Sequence, residues 1–140
     1  QIQMTGPLRH IDVPSGPCIP GQMRLFLNAD GYFFPCERVS ESSSATCIGS
    51  LNSGFNYYNA EKLLNVGAIT SDVCKRCWSF RHCTACAQKA DNGGESLSAK
   101  YKLTHCDRIR AGTRAKLEQL ILFNEVKTYY SCQIKDLLRN

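Results

Sequence analysis

The chain has 140 residues, of which 43% are hydrophobic and 21% charged, and it contains ten glycines and five prolines. This size and composition suit one domain with an attached arm, and they exclude collagen-like and fully disordered chains. No window approaches the roughly 18 consecutive apolar residues of a membrane span, so we expect no membrane partner. The formal net charge is +5, but the basic residues are scattered, with no run longer than Lys75 and Arg76. No nucleic-acid partner is therefore predicted.

Local patterns in the first half predict an extended segment, a hairpin and a short helix. Residues 1–16 hold two prolines and no periodicity, and we interpret them as a linker that leaves a preceding domain. β-Favouring residues on both sides of Asp30 and Gly31 predict a β-hairpin, in which Gly31 takes the positive φ that suits glycine. A short helix is predicted over residues 57–66, and it ends at Gly67.

The second half is predicted to combine cysteine-rich loops with a longer helix. Residues 71–86 are dominated by cysteine and are expected to hold little regular structure, and residues 91–98 predict a flexible surface loop. Asp107 is predicted to cap a helix that continues to about Lys127, with helix resuming near the C-terminus. The predicted fold is a small α+β unit with one β-hairpin, cysteine-rich loops, short helices and a longer C-terminal helix.

Cysteine is the most informative residue type, because the chain contains nine. The central group, from Cys74 to Cys86, has gaps of two, five and two residues, and nineteen residues then lead to Cys106. Cys18 and Cys36 precede this group, on either side of Gly31. In chain order the nine are Cys18, Cys36, Cys47, Cys74, Cys77, Cys83, Cys86, Cys106 and Cys132.

Disulfide bonds are the least suitable use of these cysteines, because the count is odd and no signal-type apolar segment lies near the start. Zinc is a stronger alternative, since four thiolates can form one tetrahedral site. Its ligands would be Cys74, Cys77, Cys83 and Cys86. The chain would then be a structural zinc module that mediates protein interaction, but the cysteines before and after the central group would stay unexplained.

Iron–sulfur clusters account for more of the pattern. In two-cluster ferredoxins, closely spaced cysteines supply three ligands of one cluster, and the next cysteine crosses to the other cluster. One predicted ligand set is therefore Cys74, Cys77, Cys83 and Cys106. The other contains Cys18, Cys36 and the crossing Cys86. Two [4Fe-4S] clusters would join the hairpin, the loops and the helix, so the predicted α+β unit is stapled by metal.

The second ligand set needs a fourth member. Cys47 lies eleven positions beyond Cys36, after a polar loop that is long enough to fold back, and it is the candidate fourth ligand. Otherwise the fourth iron is open to water or to a substrate cysteine, whose soft thiolate suits the metal. Cys132 lies on a helix-like segment and is predicted to be a semi-buried free thiol.

The cysteine order resembles that of the seven-cysteine SPASM domain, the C-terminal extension of radical S-adenosylmethionine peptide and protein maturases. The likeness covers about two-thirds of the chain, from Pro17 to Cys106, and includes the hairpin glycine. Local segments are similar as well: Pro17-Cys-Ile-Pro-Gly21, Leu25-Phe-Leu-Asn-Ala-Asp-Gly31, Pro35-Cys-Glu-Arg-Val39 and Cys77-Trp-Ser-Phe80. They are most similar to maturases of cysteine-rich ribosomal peptides. The family usually has three residues before the cysteine matched by Cys86, and this chain has two.

The resemblance implies an auxiliary domain and not a whole enzyme. The radical-forming cluster of the family needs cysteines separated by three and then two residues, and this chain has no such triplet. Residues 1–16 are then a linker from a missing N-terminal catalytic domain, residues 17–106 the auxiliary cluster domain and residues 107–140 a C-terminal helical segment. S-adenosylmethionine would bind only in the missing barrel domain, which is one expected partner.

By the same resemblance, the complete enzyme would act on a cysteine-rich precursor peptide, the other expected partner, in the cytoplasm. It would abstract hydrogen from the peptide, and a thioether crosslink is the expected product type. The auxiliary clusters would carry an electron away or position the peptide. No catalytic residue is assigned within this chain, and zinc could replace iron in the thiolate sites.

Charged side chains beside the cysteines also have expected roles. Lys75, Arg76 and Arg81 are expected to offset the negative charge of the clusters. Two [4Fe-4S]2+ clusters with four thiolates each would carry −2 apiece, so the net charge would fall from +5 to about +1. His82 and His105 adjoin cysteines, and we expect them to lie beside the ligands or at the surface.

Overall fold

A computed structural model describes residues 18–137 of the chain, with side chains described as far as Ser131. The interpreted linker, residues 1–16, lies outside the described residues, and so does the side chain of Cys132. The assignment of Cys132 as a free thiol therefore stays a prediction.

Four short strands form one antiparallel sheet in chain order. They are β1 (Phe26–Leu27), β2 (Tyr32–Phe34), β3 (Gly49–Ser50) and β4 (Gly54–Phe55). The predicted hairpin is confirmed as β1 and β2, with Phe26 opposite Phe34. In its turn, Gly31 has a φ of 83° and donates a 3.1 Å hydrogen bond to the carbonyl of Asn28. This hairpin was predictable because a positive φ is a local requirement that glycine meets without strain.

A second hairpin, formed by β3 and β4, makes the prediction of a single hairpin wrong. Each of these strands has two residues and includes a glycine, so no alternation of apolar and polar residues marks them. Gly49 has a φ of 142°, and a β-carbon there would collide with the carbonyl oxygen of Gly54 on the paired strand. Strand β3 joins the first hairpin where Gly49 lies opposite Phe33.

The described residues contain four α-helices and three 3₁₀ turns. The helices are α1 (Tyr57–Leu64), α2 (Ser71–Cys74), α3 (Ala99–Thr104) and α4 (Cys106–Leu137), and the turns are Ala68–Thr70, Phe80–His82 and Ala87–Lys89. Helix α1 confirms the predicted short helix, and the side chain of Asn56 caps it by accepting a 3.0 Å hydrogen bond from the N–H of Asn59. Helix α3 was not predicted, and its capping residue, Ser98, belongs to the segment interpreted as a loop.

Helix α4 is longer and more continuous than the sequence indicates. It begins at Cys106, one residue before the predicted cap Asp107, and it runs for 32 residues through Gly112. The apolar residues Leu120 and Ile121 of this helix are 57% and 63% exposed, so this part of the helix is mostly open to solvent. Within residues 18–137, no helix is both long and apolar enough to cross a membrane.

The hydrophobic core is small and lies between the sheet and α1. Its members are Ile48, Ala60 and Leu63, with Phe33, Phe55, Ala87 and Leu97 packed against them. Hydrogen bonds fasten the loops around it. In the segment predicted to be a flexible loop, the carboxylate of Asp91 accepts a 2.9 Å hydrogen bond from the N–H of Ser40. Loop positions in this domain therefore depend on polar contacts as well as on apolar packing.

Candidate metal centres

Four of the cysteines line a narrow cavity, which we name the four-thiol cavity. They are Cys74, Cys77, Cys83 and Cys106. The cavity has a volume of about 30 Å³, and Phe80 and Ile109 contribute apolar side chains to its wall. The hydroxyl of Ser79 donates a buried 2.8 Å hydrogen bond to the hydroxyl of Thr113. This bond holds the loop that carries three of the cysteines against α4, which carries the fourth.

Short local elements place the four thiols. Cys74 ends α2, and Cys77 follows it in a tight turn, in which the N–H of Cys77 donates to the carbonyl of Cys74 at 3.0 Å. A 3₁₀ turn leads directly to Cys83, and Cys106 is the first residue of α4. The cavity therefore joins three elements that are separate in the chain, and any group bound by all four thiols would tie those elements together.

Burial and mutual proximity shift the pKa of two of these thiols. Burial raises the pKa of Cys83, and the neighbouring thiols of Cys74 and Cys77 raise it further. Burial also raises the pKa of Cys106, where the positive charge of Arg110 opposes the effect. The four groups are thus close enough to repel one another when ionised, and joint ionisation needs compensating positive charge.

Lys102 provides such a charge from the interior. Its side chain is buried, with 2% of the residue exposed. The Nζ atom donates 2.8 Å hydrogen bonds to the carbonyl oxygen of Val66 and to the hydroxyl of Thr70, and that hydroxyl lies 3.2 Å from the sulfur of Cys74. Burial lowers the pKa of Lys102, whereas the thiols of Cys74, Cys83 and Cys106 raise it. Lys102 is therefore a fixed cationic group whose charge acts on the four-thiol cavity.

Arg110 is the second cationic group at this cavity, which its side chain helps to line. Hydrogen bonds with Asp107 and, to a smaller extent, with Cys77 raise the pKa of Arg110. Sequence reasoning missed both Lys102 and Arg110. The one available signal was that each lies four residues from Cys106, one on either side. Three residues were expected to offset the charge of the clusters, but none of them is in the wall of either thiol cavity. These residues are Lys75, Arg76 and Arg81.

Three further cysteines line a wider cavity of about 560 Å³, which we name the three-thiol cavity. They are Cys18, Cys36 and Cys86. Cys36 follows β2, and Cys86 directly precedes the 3₁₀ turn at Ala87–Lys89. Arg38 and Lys89 bring positive charge to the wall of this cavity. Although two residues separate Cys83 from Cys86, the two thiols lie in the walls of different cavities.

Cys47 belongs to neither set of lining residues. Its thiol donates a 3.4 Å hydrogen bond to the carbonyl of Gly49, and its own carbonyl accepts a 2.9 Å hydrogen bond from the side-chain amide of Asn59. Apart from Cys47, the cysteines that line the two cavities are those of the two predicted ligand sets. Ligation of metal by these cysteines stays a prediction.

The donor chemistry of both cavities fits iron–sulfur clusters, which cysteine thiolates hold. Among the side chains of residues 18–131, however, no group of three or more His, Cys, Asp or Glu has an arrangement that could hold a metal ion. A single zinc ion requires all its sulfur ligands about 2.3 Å from one point, whereas each thiolate of a four-iron cluster binds a different iron atom. At about 30 Å³, the four-thiol cavity must widen before it can admit such a cluster. Its walls are short turns and the ends of helices α2 and α4.

No family model matches this chain, and neither a search of curated proteins nor a search of solved structures found a match. A functional assignment must therefore be argued from the cysteine pattern of the chain itself and from the two cavities that those cysteines line.

Proposed function

We propose that this chain is the auxiliary [4Fe-4S] domain of a radical S-adenosylmethionine enzyme that modifies a ribosomally made precursor peptide. The division of seven cysteines between two cavities carries the proposal. Cys86 shares a cavity with Cys18 and Cys36, although Cys83, three positions earlier, lines the other cavity. A zinc site made from the central cysteines would bring Cys83 and Cys86 to one ion. Crossing of the last close cysteine to a second site is the arrangement of two-cluster ferredoxins.

The residues around the four-thiol cavity support this proposal by their charge. Four thiolates around a cluster leave a net negative site, and the positive groups of Lys102 and Arg110 lie beside it. Positive charge and hydrogen bonds near the sulfur ligands are the means by which a protein tunes the potential of a cluster. When bound, the clusters would supply one-electron transfer, and the domain would hold them and fix their surroundings.

Substrate positioning is assigned to the three-thiol cavity. It offers three thiols in a space of about 560 Å³, so a fourth position can be left for a thiolate of the cysteine-rich peptide. A thioether crosslink is the product expected of the complete enzyme. The hydrogen abstraction is assigned to the barrel domain that binds S-adenosylmethionine, and the cytoplasm is the assigned compartment because it keeps thiols reduced.

Reconstitution under anaerobic conditions tests the proposal. The full chain should bind about eight iron and eight sulfide ions, the content of two four-iron clusters. Binding of zinc alone, with no iron taken up under reductant, would refute the cluster proposal and favour the structural zinc module.

A matched pair of variants tests the division of ligands. Cys83→Ala and Cys86→Ala should each remove one cluster, so each should halve the iron content to about four per chain. The double variant should then hold almost none. If both single variants and the double variant lost the same amount of bound metal, the two cysteines would serve one site. The two-cluster proposal would then be wrong.

A further inference from the structure

A third cavity, of about 280 Å³, lies between the loop after Cys83 and the first turns of α4. We name it the basic cavity, because its wall contains three lysine or arginine side chains and two histidines. They are Lys89, Arg108, Lys116, His82 and His105. No aspartate or glutamate is among its lining residues. The cavity therefore gathers positive charge with no negative group in its wall.

Helix α4 spaces two of these cations along one face. Arg108 and Lys116 are eight residues apart, which corresponds to about 12 Å along a helix and places them on the same side. Gly112 lies midway between them, and a β-carbon there would meet no atom within 4 Å. The floor of the cavity between the two cations is thus open, so a bound group can approach the helix backbone there.

Within the described part of the chain, no ion pair neutralises the cations of this cavity. The ion pairs found there involve Arg24, Arg38 and Arg110, and none involves Lys89, Arg108 or Lys116. The Nε2 atom of His105 is buried and has no hydrogen-bond partner. Clustered cations repel one another, so an anion bound among them would relieve that repulsion and give them partners.

The basic cavity adjoins the three-thiol cavity. Thr84 and Lys89 line both, so a molecule bound in one cavity lies directly beside the other. A peptide could therefore place an acidic side chain among the cations while a nearby thiol reaches the cavity lined by Cys86. Two cavities that share wall residues suit a chain with several contacts better than they suit a small free anion.

From this arrangement we infer that the basic cavity binds a carboxylate of an acidic, cysteine-containing peptide substrate. The inference rests on the proposed function in taking the substrate to be a cysteine-containing peptide whose thiol reaches the three-thiol cavity. The cations Arg108, Lys116 and Lys89 bind the carboxylate, and the adjoining wall directs the neighbouring thiol of the peptide toward the three-thiol cavity.

Binding of two matched peptides tests the inference. The probes are a capped hexapeptide with one cysteine and two glutamates, and its twin in which both glutamates are glutamines. Titrated under reductant into the full chain, the glutamate peptide should bind about fivefold more tightly, the effect of one or two exposed ion pairs. Equal affinity of the two peptides would overturn the inference.

Two double variants of α4 distinguish binding in this cavity from a general attraction of the peptide to positive charge. Arg108→Gln with Lys116→Gln should abolish the preference for the glutamate peptide. Arg114→Gln with Lys127→Gln removes the same charge from exposed positions of the same helix outside the cavity, and it should leave the preference intact. Equal loss in both double variants would mean that net charge alone attracts the peptide, and the cavity would then have no role.

Inorganic phosphate distinguishes a peptide carboxylate from a free anion. Phosphate should compete with the glutamate peptide only weakly, and tighter binding of phosphate than of peptide would overturn the assignment to a peptide. The iron content of each sample shows whether this inference or the proposed function has failed. A chain that binds two clusters but shows no glutamate preference would refute this inference alone, and one that binds only zinc but keeps the preference would refute only the cluster proposal.

Discussion

The ammonium nitrogen of Lys102 and the hydroxyl oxygen of Thr70 are 2.8 Å apart, and the same hydroxyl lies 3.2 Å from the sulfur of Cys74. A buried positive charge is thereby linked through one hydrogen bond donor to a predicted cluster ligand. Positive charge close to a cluster stabilises its reduced, more negative state. The potential of the cluster proposed for the four-thiol cavity should therefore depend on this lysine.

Lys102→Met should shift the midpoint potential of that cluster to more negative values, because the reduced state loses a stabilising charge. We expect a shift of tens of millivolts, where 59 mV corresponds to a tenfold change in a one-electron equilibrium. The measurement is a redox titration followed by electron paramagnetic resonance in a Cys86→Ala background, which retains only this cluster. Lys100→Met is the matched control, since Lys100 is an exposed residue of the same helix. Identical potentials in both variants would remove Lys102 from the surroundings of the cluster.

Cys106→Ala should reduce iron from about eight to about four per chain and lower the yield of soluble protein. Cys106 begins α4 and lines the four-thiol cavity with three cysteines of the preceding loop, so its loss should release the helix from the loop. Iron analysis and size-exclusion chromatography measure both effects. Cys132→Ala is the control and should behave as the parent chain does. Equal behaviour of the two variants would contradict the assignment of Cys106.

Cys47→Ser should leave iron content and the cluster spectrum unchanged, because the thiol of Cys47 donates to the carbonyl of Gly49 and lines neither thiol cavity. A changed signal would identify Cys47 as the fourth ligand. In the same variant, a cysteine-containing peptide should alter the spectrum of the cluster proposed for Cys18, Cys36 and Cys86. No change on adding the peptide would exclude an open position on that cluster.

Cluster loading should depend on pH. Burial raises the pKa of Cys83 and of Cys106 above the ordinary value of 9.0, so both thiols carry protons at pH 7 and must release them to bind metal. Protons therefore compete with iron, and loading should be faster and more complete at pH 8.5 than at pH 7.0. Iron bound per chain of the Cys86→Ala variant, sampled at fixed times, measures this. A rate that does not change between these pH values would show that deprotonation of the thiols does not limit loading.

Local sequence features were sufficient for some elements and insufficient for others. The turn at Gly31 and the helix capped by Asn56 were predictable because each depends on residues within a few positions. Strands β3 and β4 have two residues each, and glycine occupies one position in both, so no sequence pattern predicts them. They form because β3 pairs with β2 and β4 pairs with β3. Helix α4 continues past Gly112 because a single glycine weakens a long helix by only about 1 kcal/mol.

The order and spacing of the cysteines, all visible in the sequence, predicted which seven thiols line the two cavities and how they divide between them. Only the tertiary structure decided what surrounds them. Lys102 donates to a carbonyl 36 residues away, at Val66, and Ser79 donates to Thr113 across 34 residues. Likewise, α4 brings Arg108 and Lys116 beside the loop that follows Cys83. The cysteine order predicts the two groups by comparison with two-cluster ferredoxins, in which the last close cysteine crosses to the second site as Cys86 does here. The charges around those thiols come instead from segments that meet only when the chain packs, so no local spacing indicates them.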